Sequence, residues 1–216
     1  MIRQPSLREE KKLWNRGYKR VVCLDEAGRG PLAGPVVAAA VMINSEFKIR
    51  NFRDSKKILP KRRKEIYKAI INNPAVKWAI GKVSERMIDK INILEATKLA
   101  MGKAVKNLKS KIDFLIIDGN FPLDLNIPQK SIIKADEKVF SCALSSIIAK
   151  VYRDKIMERL HKKYPHYCFN KHKGYPTKLH FRLLKKYGPC RIHRKSFKPV
   201  IFSKNYKIKA KTIEKI

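Results

Sequence analysis

Acid is the scarce side chain in this sequence: 18 Asp and Glu stand against 51 Lys and Arg, a formal charge of +33 over 216 residues. That imbalance excludes a neutral surface and calls for a polyanionic partner, nucleic acid first of all. A genomic bias toward Lys would account for part of the excess without removing the field it creates. Long apolar runs are missing too. The longest uncharged stretch, residues 30–45, is interrupted by Pro31 and Pro35, whereas about 20 predominantly apolar residues are needed to span a bilayer. No membrane span is expected, and a Lys/Arg/Glu-rich beginning without an apolar core gives no reason to expect a signal peptide. Cysteine is sparse: Cys23, Cys142, Cys168 and Cys190 include no C-x-x-C pair, which removes the common zinc and redox signatures and fits a reducing cytoplasm. The nearest zinc-like spacing, Cys168-x3-His172 with Cys190-x2-His193, is two short-range pairs that arise easily by chance.

What is present suffices for a globular enzyme. Hydrophobic residues make up 44% of the chain, and at this length a real core can be buried without disulfide support. Residues 20–25 and 35–43 are apolar runs separated by a Gly/Pro turn, and predict two opening strands. Pro60 at a first helical turn, with Ile66, Ala69 and Ile70 at helical spacing, predicts a helix over 60–72. A strand over 76–83 follows, then Ser84 as cap of a long helix over 85–109 bearing Ile88, Ile91, Leu94, Leu99 and Met101. Strands at 113–118 and 131–134, a helix over 137–163 and a short helix over 177–187, stopped by Gly188-Pro189, complete the order. Strands interleaved with helices predict an α/β domain on a mixed sheet, with a helical C-terminal part.

The few acids are not scattered. Asp25-Glu26, Asp118 and Asp136 each stand at or just beyond the end of a predicted strand, where α/β sheets collect ligands. Hard oxygen ligands without His or Cys suit Mg²⁺ or Mn²⁺, and clustered carboxylates holding such ions are what metal-assisted phosphodiester hydrolysis needs. Each acid also has a plainer role open to it. Asp136 could cap the following helix, Asp118 before Gly119 could serve a turn, and Arg29 could neutralise Asp25-Glu26 as an ion pair. The turn Gly28-x-Gly30-x-x-x-Gly34 matches neither dinucleotide nor P-loop spacing, so its glycines read as room for close approach of a sugar-phosphate.

Residues 25–36, Asp-Glu-Ala-Gly-Arg-Gly-Pro-Leu-Ala-Gly-Pro-Val, resemble the first motif of type 2 ribonuclease H, the bacterial ribonuclease HII. Further segments resemble that family in order: Asp54-Ser55-Lys56-Lys57, Ile117-Asp118-Gly119, Lys134-Ala135-Asp136, the stretch from Ser145 to Asp154, residues 172–177, and Gly188-Pro189 with His193-Arg194-x-Ser196-Phe197. The resemblance implies a ribonuclease H-like fold, a mixed five-stranded sheet flanked by helices, over residues 18–200, with 1–17 a basic extension and 201–216 a basic tail. It implies cleavage of the RNA strand of RNA/DNA hybrids and nicking 5′ of single ribonucleotides in duplex DNA, leaving 5′-phosphate and 3′-hydroxyl ends. Asp25, Glu26, Asp118 and Asp136 become the expected metal ligands, and the Gly28-Arg29-Gly30 turn the expected reader of the ribose 2′-hydroxyl. Tyr175 is expected to pack on the adjacent deoxyribose, while Lys56, Lys57 and Lys150 are candidates for phosphate contacts, a solvated turn being the plainer reading of the first two. Asp154 competes with Asp136 as fourth ligand; Asp136 is preferred because it follows a strand, whereas Asp154 lies far along a helix beside Arg153. A cytoplasmic monomer with no obligate protein partner is expected. A non-catalytic basic RNA-binding protein has no need of four acids at strand ends. Type 3 ribonucleases H typically lack the arginine seen here as Arg29, and resolvase-like nucleases of the same fold lack the combination of this turn with Tyr175.

Overall fold

The computed structural model describes residues 4–44, 47 and 59–201. Residues 54–57, with Lys56 and Lys57, and all but the first residue of the predicted tail lie outside the described residues. Two compact units divide the chain: the first takes Met1–Ala27, Val37–Lys82 and Thr97–Val151, the second Gly28–Val36, Val83–Ala96 and Tyr152–Ile216.

The first unit is organised on a five-stranded sheet of order β3-β2-β1-β4-β5, from β1 (Val21–Ala27), β2 (Val36–Ile43), β3 (Val76–Val83), β4 (Phe114–Asp118) and β5 (Gln129–Ile132). The sheet is mixed, as expected. β1 runs antiparallel to β2 and parallel to β4, and β4 runs parallel to β5. Unbroken apolar runs such as VVAAAVMI suit a strand covered on both faces, and every residue of β2 is buried. Helix α2 (Pro60–Ile71) packs Ile66, Tyr67 and Ile70 against Val41 and Ile43, together with Leu144 and Ile147 of α4 (Phe140–Lys163). Ala69, expected on the core face, is exposed; Tyr67 takes its place in the buried stripe.

β1 runs on to Ala27 instead of ending at Asp25, its pairing with β2 continuing through Glu26 and Ala27; three further boundaries depart from expectation, each for a local reason. α3 (Glu85–Asn107) is not one amphipathic helix but is broken at Asn92, whose φ of 65° and ψ of 171° are non-helical. The Asn92 side chain accepts the N–H groups of Leu94 and Glu95 at 2.9 and 3.1 Å, and so caps a fresh helix. After the break Leu94 and Leu99 are exposed, and the contact with the sheet passes to Ala100, Met101 and Ala104. There the α3 backbone comes so close to Gly81 of β3 that a Cβ at that position would collide with it. β5 begins and ends two residues early because Lys134 turns left-handed at φ 56°, and α4 starts at Phe140 after a 3₁₀ turn over Ala135–Glu137.

Two helices were not anticipated, one at the start of the chain and the four-residue α5 (Phe169–His172). The chain before residue 18 forms α1 (Arg8–Asn15), which buries Leu13 and Glu10. Glu10 Oε1 accepts both the backbone N–H and the hydroxyl of Ser141 at 2.8 Å, supplying α4 with a cap from another helix. In the second unit, Thr177 Oγ1 accepts the N–H of His180 and caps α6 (Lys178–Tyr187), which Gly188 closes at φ 70°. The Gly188 stop was expected there; Thr177, expected as the first helical residue, caps the helix instead. The core of this unit gathers Ala33, Met157, Tyr167, Phe169 and Ile192.

Candidate active site

β1 and β4 lie side by side and parallel in the middle of the sheet, so their carboxyl ends deliver Asp25 and Asp118 to the same edge. Asp136 arrives differently, through the tight turn after β5. Asp118 Oδ1 accepts the N–H of Ala135 at 2.9 Å, which ties the end of β4 to that turn, and Lys134 in the left-handed region reverses the chain in front of it. Asp25, Asp118 and Asp136 thereby each offer a carboxylate oxygen within 4.8 Å of the others, with Asp25 and Asp136 buried. Among the described residues no other group of three or more His, Cys, Asp or Glu meets that condition. Neither Asp154 nor the zinc-like Cys/His spacing enters one. Asp136 is therefore not a surface helix cap; its acid is inside the cluster and α4 begins four residues later.

Burial drives the Asp25 pKa well above the ordinary carboxylate value, and repulsion from Glu26, Asp118 and Asp136 adds to it, against a Ser146 hydrogen bond that favours the charged form. A cluster of this kind is costly when charged unless a cation joins it. Hard oxygen donors converging on one point fit a divalent ion of the Mg²⁺ or Mn²⁺ type. Glu26 is half-buried next to Asp25, whose Oδ1 accepts the Glu26 N–H at 2.6 Å, but its carboxylate is not a member of the three-acid group. Lys150 is half-exposed on α4.

The Gly28-Arg29-Gly30 turn and Tyr175 belong to the second unit. Gly28 sits at φ +103°, where a Cβ would strike the Arg153 side chain, so only glycine fits. Two fully buried guanidiniums hold the loop that follows. Arg194 donates to the carbonyls of Gly28, Arg29 and Gly34 at 2.5, 2.8 and 3.0 Å. Arg153 donates to Ala33, Pro35 and Lys173 at 3.1, 3.0 and 3.0 Å. Backbone carbonyls thus take all six of these bonds, and burial, with mutual repulsion second, lowers the Arg194 pKa to about 9. Arg29 and Gly30 are exposed at the tip. Tyr175 is exposed as well, its ring centroid 5.7 Å from Arg153 Cζ.

The family model described as Ribonuclease HII matches residues 22–200 of this chain. The chain belongs to the ribonuclease HII family. Ribonuclease HII of Chlamydia trachomatis serovar A is 49% identical over 204 residues, covering 92% of this chain and 94% of that protein. The Chlamydia caviae ribonuclease HII is 50% identical over 191 residues, 88% and 90% of the two chains. The crystal structure of ribonuclease H2 from Pyrococcus horikoshii superposes with a TM-score of 0.72 at 25% identity, covering 87% of this chain and 99% of that one. The fold is ribonuclease H-like, and the protein is a nuclease with ribonuclease H activity in a family that depends on divalent metal.

Sequence reasoning about this ribonuclease HII chain missed several residues around the acids and the turn. Ser145, whose Oγ lies 2.9 Å from the carbonyl oxygens of Cys23 and Ser141, and Ser146 beside Asp25 look like ordinary helix-face serines in sequence. Arg153 and Arg194 look like surface cations in a chain rich in them; nothing in their spacing separates them from the exposed ones.

Proposed function

We propose that this chain hydrolyses the RNA strand of RNA/DNA hybrids and nicks 5′ of single ribonucleotides in duplex DNA, leaving 5′-phosphate and 3′-hydroxyl ends. The convergence of Asp25, Asp118 and Asp136 is the observation that carries the reading. These three carboxylates, joined by Glu26, would hold Mg²⁺ or Mn²⁺. A bound pair of such ions supplies activation of the attacking water and neutralisation of the leaving oxygen. The residues themselves do the rest. A Ser146 hydrogen bond favours the charged form of Asp25 against its burial, and Asp118 fixes the approach of Asp136 through Ala135. The Gly28-Arg29-Gly30 backbone, held by Arg194 and with a glycine on either side of Arg29, offers closely approachable main-chain groups to the ribose 2′-hydroxyl, the group that separates RNA from DNA at one position. Tyr175 packs on the deoxyribose next to the ribonucleotide, while Lys150, with Lys56 and Lys57, meets phosphates. All these groups come from one chain, which fits a monomer.

The test is a 5′-labelled duplex DNA with one ribonucleotide, incubated with the protein and Mg²⁺ or Mn²⁺, or with chelator. The expected product is a single nick 5′ of the ribonucleotide whose upstream 3′-hydroxyl a polymerase extends without further treatment. Cleavage on the 3′ side, or cleavage that survives chelation, would contradict the proposal.

A further inference from the structure

His172, His180 and His193 are buried together in the second unit, and none of them belongs to the acid cluster. Each ring has at least one backbone partner, and His193 Nδ1 also lies 3.2 Å from Cys190 Sγ. A carbonyl oxygen only accepts and a backbone N–H only donates, so each backbone contact fixes a proton. His172 Nε2 lies 2.7 Å from the Tyr167 carbonyl and carries the hydrogen, while its Nδ1 accepts the N–H of Gly174 at 3.1 Å. His180 Nδ1 lies 2.9 Å from the Tyr175 carbonyl and is the protonated nitrogen. His193 Nδ1 accepts the N–H of Cys190 at 2.9 Å, which leaves its hydrogen on Nε2. Those two assignments are independent, and they leave one acceptor and one donor facing each other across the 3.0 Å His180 Nε2 to His193 Nε2 contact. Three neutral imidazoles satisfy every bond with one proton each. Burial lowers the pKa of all three, to about 4 for His180 and about 3 for His193.

The chain ends on a specific object. His172 and His180 stack at 4.3 Å and bracket the turn that carries Tyr175, one holding the Gly174 N–H and the other the Tyr175 carbonyl. The Tyr175 N–H is bound in turn by the His172 carbonyl at 2.9 Å. Gly174 at φ +86° packs against the Ala33 carbonyl, leaving no room for a Cβ. Its own carbonyl accepts the Leu32 N–H at 2.8 Å. The segment bearing His193 binds the same loop: Gly34 N–H donates to Ile192 O, Arg194 N–H donates to Leu32 O, and Ala33 bridges to His193. A satisfied histidine core would explain burial, but the backbone groups that His172 and His180 hold belong to an exposed aromatic residue and the one before it.

We propose that His180, fixed in its Nδ1-protonated form by His193, is a positioning residue that sets Tyr175 in register with the Gly28-Arg29-Gly30 loop and so determines recognition of the ribonucleotide–deoxyribonucleotide junction. The inference rests on the reading of Tyr175 given above. Preorganising a ring in this way lowers the ordering cost of binding rather than adding a contact.

KM and kcat are measured on a duplex with a single ribonucleotide and on a uniform RNA/DNA hybrid, which has no junction at the cut. His180→Leu is expected to raise KM on the single-ribonucleotide duplex about tenfold more than on the hybrid, the loss corresponding to roughly one buried hydrogen bond. His180→Asn, whose side-chain amide can still donate to the Tyr175 carbonyl, is expected to restore most of the difference. Equal effects on both substrates, or an Asn variant no better than Leu, would overturn the inference. Tyr175→Ala runs alongside. If it abolishes junction preference while His180→Leu does not, the positioning role fails alone; if it leaves the preference intact, the Tyr175 reading and this inference fall together. Should a variant not fold, ¹⁵N NMR of the unmodified protein decides: a proton on Nδ1 of His180 and on Nε2 of His172 and His193 supports the inference, and any other distribution overturns it.

Discussion

Asp25 carries the tension of the whole site. Its folded-state pKa lies well above its ordinary value of 3.8, through burial first and then repulsion by Glu26, Asp118 and Asp136. An acid raised on folding stabilises the folded state at low pH and opposes it as pH rises past the unfolded value, so at neutral pH and without divalent metal Asp25 is destabilising. Asp25→Asn should therefore raise Tm in metal-free buffer at pH 7 by about 2 °C or more, the response of a chain this size to roughly 1 kcal/mol, while cleavage is lost. Wild type should gain Tm on addition of Mn²⁺, and the variant should gain little, because a ligand that binds only the folded state stabilises it by mass action. Thermal unfolding with and without Mn²⁺ checks both. A metal-free variant less stable than wild type would show that the carboxylate is held by something other than a cation.

At the scale of elements, α1 and α4 depend on each other through Glu10. Removing that carboxylate leaves the buried Ser141 N–H without its acceptor, so Glu10→Ala should cost about 1–3 kcal/mol, read from urea unfolding. The strands were legible because apolar runs ended by Gly, Pro or Asp have few alternatives, and the end of α6 was legible from Gly188 alone. The rest was hidden by context. Asn92 breaks α3 although the surrounding periodicity reads as unbroken, because one side-chain oxygen capping two N–H groups outweighs helix propensity there. α1 carries no long apolar stripe, and its weight rests on Leu13 and one acid whose partner is 131 residues away. Ala100 and Ala104 replace the expected leucines since Gly81 invites a backbone approach that larger side chains would prevent.

Across the whole molecule, the charge of +33 and the three buried histidines act on different variables. Phosphate contacts release counterions, so affinity for a hybrid should fall by about a thousandfold or more between 50 and 200 mM salt if six or more phosphates are neutralised; fluorescence anisotropy against salt measures the slope. Acid acts through the histidines. Because His180 and His193 fold with pKa values of about 4 and about 3, against 6.5 as the ordinary value, the unfolded chain takes up protons first as pH drops. Their stabilising contribution is complete above pH 6.5 and is lost toward pH 4. The drop in Tm from pH 7 to pH 5 should accordingly be smaller in His193→Gln than in wild type. In the sequence, acids stand out against a basic background and the strand ends pointed to them. Arginines and histidines at the second unit's loops gave no such contrast, and their meaning depends on carbonyls that only the fold brings near.

Which acids form the centre decides where metal and scissile phosphate meet. Metal-dependent cleavage of a duplex with one ribonucleotide, measured for Asp136→Asn and Asp154→Asn side by side, addresses that directly. Loss of cleavage in Asp136→Asn, with Asp154→Asn still active, is the predicted result; loss in Asp154→Asn with activity kept in Asp136→Asn would contradict it.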